Sequence, residues 1–493
     1  MAAAAAGRGG TRRVAVNSIL QAGADALGKI GLLALYSVMA RQLGPVAFGD
    51  FTSAASLAVL VLIAAFGMDY VVTRHVAQGE DDVARVYWAA VVLKLLFGTV
   101  ATAMVMGVAV VGPYADRVVL TTAVLSLAMI VDLVMLTPHA LFRGLERVQV
   151  VARALVLYRA LLAVLGVAAM LAGGGIAEVA VIWLACALLA LGYTLRRVRD
   201  TGLALPFGLR RSDLRRVALG SLALGVAGVF GAALSRLDII ILGLLKDSED
   251  VAIYGSAYRL IESVQFVTTA IALSAFPSLS RLSRTSRPTL GEAAALGVKA
   301  VLLVTLPIAL GLGVFAEPVL RLVYGGGLAD ADTALTLLSL TIVPAGLCSF
   351  LAFLLSAQGR QTPVAVSLGI ATVVNVGLNL LLVPPHGPEG AAVAMVATMA
   401  VMSAALLGPV LSATGPIGAV RVLTAPAVGA ACGVAVGVAL GGELLAAPLS
   451  LTVFGAVTLG AERVLHPADA RVLLQILRRR PPAAETAAPA GDG

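Results

Sequence analysis

Charged side chains interrupt stretches of sequence that are otherwise apolar, and they do so in pairs. Asp25 and Lys29 lie four apart within residues 14–40, Arg236 and Asp238 interrupt a stretch centred near Phe230, and Arg259 and Glu262 lie three apart in the next, centred near Thr269. Spacings of three and four bring side chains onto one face of a helix, where a carboxylate and a cation can pair. Lys94, Asp69, Asp132 and His139 stand in similar surroundings. An ionisable group at the centre of a bilayer costs roughly 2.5 to 3.5 kcal/mol on insertion scales, so those present face one another or a watery cavity. Arginine and lysine in such a cavity grip an anionic head group, phosphate above all, and a nearby carboxylate is available for proton or cation coupling. Lys29, Lys94, Arg236 and Arg259 are therefore candidate substrate-binding cations, and Asp25, Asp132, Asp238 and Glu262 candidate ion-coupling acids. The same spacings fit buried ion pairs between helices equally well. Asp69 and His139 fall near helix ends, where snorkelling to the interface makes them cheap. Asn375 and Asn379, four apart, either line a path or bond a neighbouring helix, and the second reading is the simpler.

The elements that must hold these groups are membrane-spanning helices. Of the 493 residues 60% are hydrophobic and only 13% charged, a balance that no water-soluble fold can bury. Stretches of roughly 20 mainly apolar residues, the length that crosses a bilayer, recur along the chain. The first, 14–40, is too long for a signal-peptide core. Others centre near Val59, Ala101, Met129, Leu162, Leu184, Phe230, Thr269, Leu306, Leu340, Val373, Ala400, Val434 and Phe454. The expected fold is an all-α integral membrane protein of about fourteen transmembrane helices.

Loop charges orient that fold, because Lys and Arg accumulate on the cytoplasmic side. An N-terminus placed inside puts Arg74, 143–159, 196–216, 281–287, Arg360, Arg421 and 478–480 inside, and leaves outside only Arg41, Arg117, Lys246 and Arg321. The loop 195–216 holds seven arginines and divides the chain into two six-helix halves. The expected organisation is a basic N-terminus over 1–13, a first lobe over 14–196, a cytoplasmic linker over 197–216 and a second lobe over 217–412. Two more helices follow over 413–465, then a cytoplasmic tail over 466–493. Within that tail, 468–480 has the pattern of a helix lying on the inner membrane surface. Both halves begin inside, so a repeat between them is parallel. Leu43-Gly44 followed by Phe48-Gly49 is echoed by Leu242-Gly243 followed by Tyr254-Gly255.

Several function classes drop out. No GxxxxGK[ST] loop is present, and only 195–216 approaches the size of a loop that can carry a soluble active site. No catalytic residue and no cofactor are expected. Cys186, Cys348 and Cys432 all lie in apolar stretches without a CxxC pair or a histidine at ligand spacing, so neither a disulfide framework nor a metal site is expected. The formal charge of +8 reports orientation rather than a nucleic-acid partner.

Three groups of residues carry a family resemblance. The first is Ala40-Arg41-Gln42-Leu43-Gly44-Pro45-Val46-Ala47-Phe48-Gly49-Asp50-Phe51. The second runs from Leu237-Asp238 through Leu242-Gly243 to Tyr254-Gly255-Ser256-Ala257-Tyr258-Arg259-Leu260. The third comprises Leu322-Val323-Tyr324-Gly325, Leu354-Leu355-Ser356-Ala357-Gln358-Gly359-Arg360, Asn375-Val376-Gly377-Leu378-Asn379 and Pro388-Glu389-Gly390-Ala391-Ala392. In their order and spacing, over about 17–414, these residues resemble the polysaccharide transporter branch of the MOP superfamily, the O-antigen and lipid-linked oligosaccharide flippases. The resemblance implies two six-helix lobes facing a central cavity, MATE-like, with alternating access by rocking. It implies movement of undecaprenyl-pyrophosphate-linked sugars from the inner to the outer leaflet of a bacterial cytoplasmic membrane. It also implies cavity cations for the pyrophosphate and an acid for ion coupling, roles that Lys29, Arg236, Arg259 and Asp25 would fill. Arg41, Gly44, Pro45, Gly49, Tyr254, Gly255, Asn375 and Asn379 belong to the motifs themselves. Glycine and proline at helix ends set turns and close packing, so the Leu-Gly-Pro and Tyr-Gly motifs are expected to be structural, with Arg41 anchoring its helix at the outer surface.

Alternatives are a MATE-like exporter of drugs or other lipids, a lipid-linked peptidoglycan precursor flippase, and a membrane glycosyltransferase or scaffold. A drug exporter would be expected to carry an aromatic and methionine-rich cavity, and aromatics are only 5% of residues, which favours an anionic cargo. The expected partners are a polyprenyl-pyrophosphate-linked glycan, membrane lipids, and a polysaccharide polymerase and glycosyltransferases acting on the same glycan.

Overall fold

The protein is described by a computed structural model over residues 2–65, 67–203, 208–282, 287–467 and 469, with side chains except at 2–22, 24–27, 223, 224, 266, 273, 274, 276–278, 287 and 288. The Asp25 side chain and nearly all of the expected surface helix over 468–480 lie outside the described residues.

Every regular element among the described residues is a helix. Helix α1 (Ala2–Val59) continues through a 3-10 turn (Leu60–Ala65) into α2 (Met68–Gln78), followed by α3 (Val83–Val111), α4 (Asp116–Gly144), α5 (Val148–Leu171) and α6 (Ile176–Arg199). The second half holds α7 (Arg211–Leu234), α8 (Leu237–Leu245), α9 (Ser248–Leu282), α10 (Arg287–Val314), α11 (Ala316–Tyr324), α12 (Asp332–Ser339), α13 (Ile342–Ala357) and α14 (Gln361–Thr414). Helices α15 (Ala419–Ala439) and α16 (Ala447–Leu465) end the described chain. Among the described residues nine helices are long and apolar enough to cross a membrane, or up to 11 when two bent pairs each count as one span.

Two of these helices are double passes. At 1.5 Å per residue the 54 residues of α14 would reach roughly 80 Å if straight, against a hydrocarbon core of roughly 30 Å. Asn375 nevertheless donates to Thr398 Oγ1, 23 positions onward, at 3.3 Å, because the helix turns back at Gly387 (φ 54°, ψ −132°). Helix α1 turns likewise at Gly44 (φ 77°, ψ 176°), bringing the Tyr36 ring to 5.9 Å from the Phe51 ring. Gly44 has the left-handed φ that glycine adopts without steric cost, and Pro45 starts the new helix, where its missing N–H is no loss. The two bent pairs lie within α7 (Arg211–Leu222 and Gly225–Leu234) and over α12–α13 (Gly326–Ser339 and Ile342–Ala357), and α9, 35 residues long, is the remaining long helix.

Apolar bulk faces outward and charge faces inward, as lipid solvation requires. Val110, Val111, Val164, Leu189, Val373 and Leu381 are exposed, while Asp50, Lys94, Asp238, Arg236, Arg259 and Lys299 are buried. Small buried residues, Ala54, Ala58, Ala128, Ala187 and Ala190, let α1, α4 and α6 approach closely. In the first half α1 packs on α4 and α5, and α4 on α3 and α6; in the second, α13 packs on α9, α10 and α14. The halves meet where α1 crosses α9 and where α7 lies against α2 and α3.

The last two helices pair with each other and lean on α10. Lys299 of α10 reaches Glu462 of α16 at 2.9 Å and Asp469 at 2.7 Å, and Arg421 of α15 closes on Asp469. Hydrogen bonds from the Arg421 guanidinium hold the Asp469 carboxyl below the usual carboxylate range, at about 2.

Candidate functional site

A partly open cavity of about 280 Å³ lies between the halves, walled by both limbs of α1 and by α4, α5, α6 and α9. Most of its charged residues sit at one wall. The chain breaks between α7 and α8 at Arg236, which aims its guanidinium back toward α9. There Arg236 Nη2 meets Glu262 Oε1 at 2.8 Å, and Arg259 Nη1 meets Glu262 Oε2 at 2.9 Å. From α1, Lys29 Nζ donates to the Glu262 backbone carbonyl at 3.2 Å. Arg236 lies 5.7 Å from the Tyr258 ring centroid and Arg259 4.5 Å from that of Tyr36, stacking that suits a weakly hydrated guanidinium.

One carboxylate thus serves two guanidiniums, so the Arg236–Glu262–Arg259 trio carries a net positive charge. Arg236 Nε and Nη1 and Arg259 Nε are buried without hydrogen-bond partners. Unsatisfied donors on buried cations are costly unless an anion completes them. The opposite wall differs in kind. Asp132 of α4 accepts a hydrogen bond from Tyr158 of α5 at 2.9 Å through Oδ2, its Oδ1 has no partner, and Trp183 of α6 lines the cavity beside them. Arg159, also on α5, borders the same space.

One end of the cavity is shut by the sequence motifs that carried the family resemblance. Helices α1 and α9 touch through backbone at Gly49, where a Cβ would lie 1.7 Å from the Ser248 carbonyl oxygen. Only glycine fits that crossing. Arg41 Nε donates to the Val323 carbonyl at 3.1 Å and Nη2 to that of Leu322 at 2.5 Å, and Ser37 also bonds Val323. A cation on the last carbonyls of α11 is well placed against the helix dipole. Asp50 accepts from Ser248 Oγ at 2.5 Å and pairs with Arg117, while Tyr324 donates to the Ser256 carbonyl at 3.1 Å. Beneath these polar contacts Tyr36, Phe48, Phe51 and Tyr324 form an aromatic cluster with centroids 5.9 to 6.1 Å apart.

Other candidates stand elsewhere. Lys94, expected among the cavity cations, does not line the cavity; it pairs with Asp69 at 2.5 Å and bonds the Leu133 carbonyl, since burial among α2, α3 and α4 demands a counter-charge. His139 is buried nearby on α4. Asp238 is also away from the cavity lining, fully buried, accepting from Tyr254 and from its own helix at Ile239 N. Asn375 bonds Thr398 on the return limb of α14, in keeping with the simpler reading, whereas Asn379 bonds the Asn375 carbonyl of its own limb at 2.8 Å. The spacing argument missed Arg159 as a wall residue and Lys299, Glu462 and Asp50 as buried charges. His75, Glu80 and Asp82 bring ligand-type atoms within 4.8 Å of one another, but Arg216 pairs with Asp82 and His75 with Glu80, which accounts for the trio as surface ion pairs.

The comparisons agree with this architecture. Residues 17–283, more than half of the chain, match the family model described as "Polysaccharide biosynthesis protein", and 224–381 match the MatE model. The chain is 24% identical over 177 residues to the "Probable low-salt glycan biosynthesis flippase Agl15" of Haloferax volcanii, covering 36% of this chain and 38% of that protein. It is 28% identical over 233 residues to the "Probable lipid II flippase MurJ" of Rhizobium meliloti, covering 45% and 40% respectively. These matches span about two fifths of the length of those curated relatives. Among solved structures, a lipid II flippase MurJ in an inward closed conformation is similar with TM-score 0.70, 13% identity and coverage of 92% of this chain and 100% of that one. An inward-facing multidrug resistance MATE transporter of the MOP superfamily gives TM-score 0.62, 16% identity and coverage of 80% and 95%. The extent of the family match, over 17–283, makes this chain a member of the polysaccharide biosynthesis protein family.

Proposed function

We propose that the protein is a flippase that carries polyprenyl-pyrophosphate-linked oligosaccharide from the inner to the outer leaflet by alternating access, without chemical change to its cargo. The observation that carries the reading is the surplus of guanidinium donors around Glu262, in a cavity between two lobes. A pyrophosphate supplies the acceptors those donors lack. The relatives named as glycan and lipid II flippases support the cargo class. In this reading the lobes 14–196 and 217–412 rock against each other, residues 413–465 ride on the second, and the end shut at Gly49 faces outward. Loop charges support that orientation.

The test is movement of a fluorescent undecaprenyl-pyrophosphate-linked sugar across proteoliposomes holding the purified protein. Arg236→Ala and Arg259→Ala are each expected to slow it about tenfold or more with membrane insertion and abundance unchanged. The Lys variants should fall between, because an ammonium keeps the charge and loses the fork geometry. Full transport in both alanine variants would sink the reading.

A further inference from the structure

We propose that Asp132, Tyr158 and Trp183 form a subsite for the hydroxyl groups of the sugar ring joined to the pyrophosphate, so that the cavity reads both parts of the head group. The inference rests on the flippase reading and adds the position and chemistry of sugar recognition.

The two walls have complementary needs. The Arg236–Arg259 wall has donors to spare. At the α4–α6 wall the spare atom is an acceptor, Asp132 Oδ1, enclosed and unpartnered while Oδ2 is held by Tyr158 at 2.9 Å. A buried polar atom of that kind is costly until a donor reaches it, and an ionised carboxyl accepts without donating. Sugar hydroxyls are such donors, whereas the oxygens of an ionised pyrophosphate only accept. Arg159 flanks Asp132 on α5 and leaves Oδ1 without a hydrogen bond. The Trp183 indole N–H lies beside the Tyr158 hydroxyl without a hydrogen bond of ordinary geometry, and so remains available to a ring oxygen. Its apolar face suits the C–H face of a pyranose. At about 280 Å³ the cavity is near the small end of ligand sites, which fits a pyrophosphate and the ring next to it rather than a whole glycan. With the anion drawn to one wall and the hydroxyls to the other, the head group has one orientation.

The experiment compares binding of undecaprenyl pyrophosphate with that of its glucosyl, galactosyl and N-acetylglucosaminyl derivatives to the whole protein in nanodiscs. At least one sugar-bearing lipid is expected to bind about tenfold tighter than the bare lipid, the worth of one charge-assisted hydrogen bond. Asp132→Asn and Trp183→Phe should each cut that ratio about threefold or more, with Tyr158→Phe as a milder third variant should either unfold. Arg259→Ala should weaken every lipid. Equal affinity for all four lipids, or a ratio unmoved by all three substitutions, overturns the subsite and leaves the flippase reading standing. Failure of every pyrophosphate lipid to bind overturns both.

Discussion

Single residues in this protein matter most where one charge serves several. Lys299 is the counter-charge for both Glu462 and Asp469. Lys299→Ala strands carboxylates in a buried site, and loss of one partner from such a site typically costs about 3–5 kcal/mol. Thermal unfolding in detergent should show a clear fall in midpoint, without loss of the bare pyrophosphate lipid's binding. Legibility at this scale followed sequence distance. The Arg259–Glu262 pair was readable because three positions are one helical face. Arg236 joins the same carboxylate from another helix, and Lys299 finds partners 163 and 170 positions away. Periodicity carries no information across such separations. Lys94 was read correctly as buried, but its partner Asp69 lies across a turn between helices, so membership of the cavity was not deducible.

Helices, in turn, are joined by their motif glycines. A Cβ on Gly255 of α9 lies 3.5 Å from Thr52 Cβ of α1, within the span of a disulfide. In a chain whose three cysteines are replaced, Thr52→Cys with Gly255→Cys is expected to oxidise, lock this end shut and stop transport until a reductant is added. A gel shift and the proteoliposome assay read the two halves of that statement, and transport undiminished by complete oxidation would show that the α1–α9 crossing does not part. The turns were legible, since Gly44-Pro45 and the proline-rich run around Gly387 punctuate apolar sequence. The breaks at Arg236 and between α12 and α13 were not, because the residues around them continue an apolar pattern that reads as unbroken helix.

The whole molecule was the most legible level, because lipid imposes length and polarity on every passage. The all-helical, many-passage character follows from apolar runs alone, and the arginines of 195–216 mark the expected boundary between halves. Orientation is the part that loop charge alone supports. In the cysteine-free chain, Asp247→Cys should react with an impermeant maleimide on intact cells and Asp200→Cys only after permeabilisation; the opposite pattern would invert the topology.

The aromatic cluster of Tyr36, Phe48, Phe51 and Tyr324 has a further consequence. On the proposed reading, a carrier of an anionic head group must hold a charged chamber inside a membrane that stores electrical energy. Rings packed edge to face or tilted above that chamber would leave no wetted thread for a stray ion, since apolar constrictions empty of water. On that reading, small ions that enter beside Arg259 would meet a dry stopper, and the membrane voltage would be kept while the cargo waits.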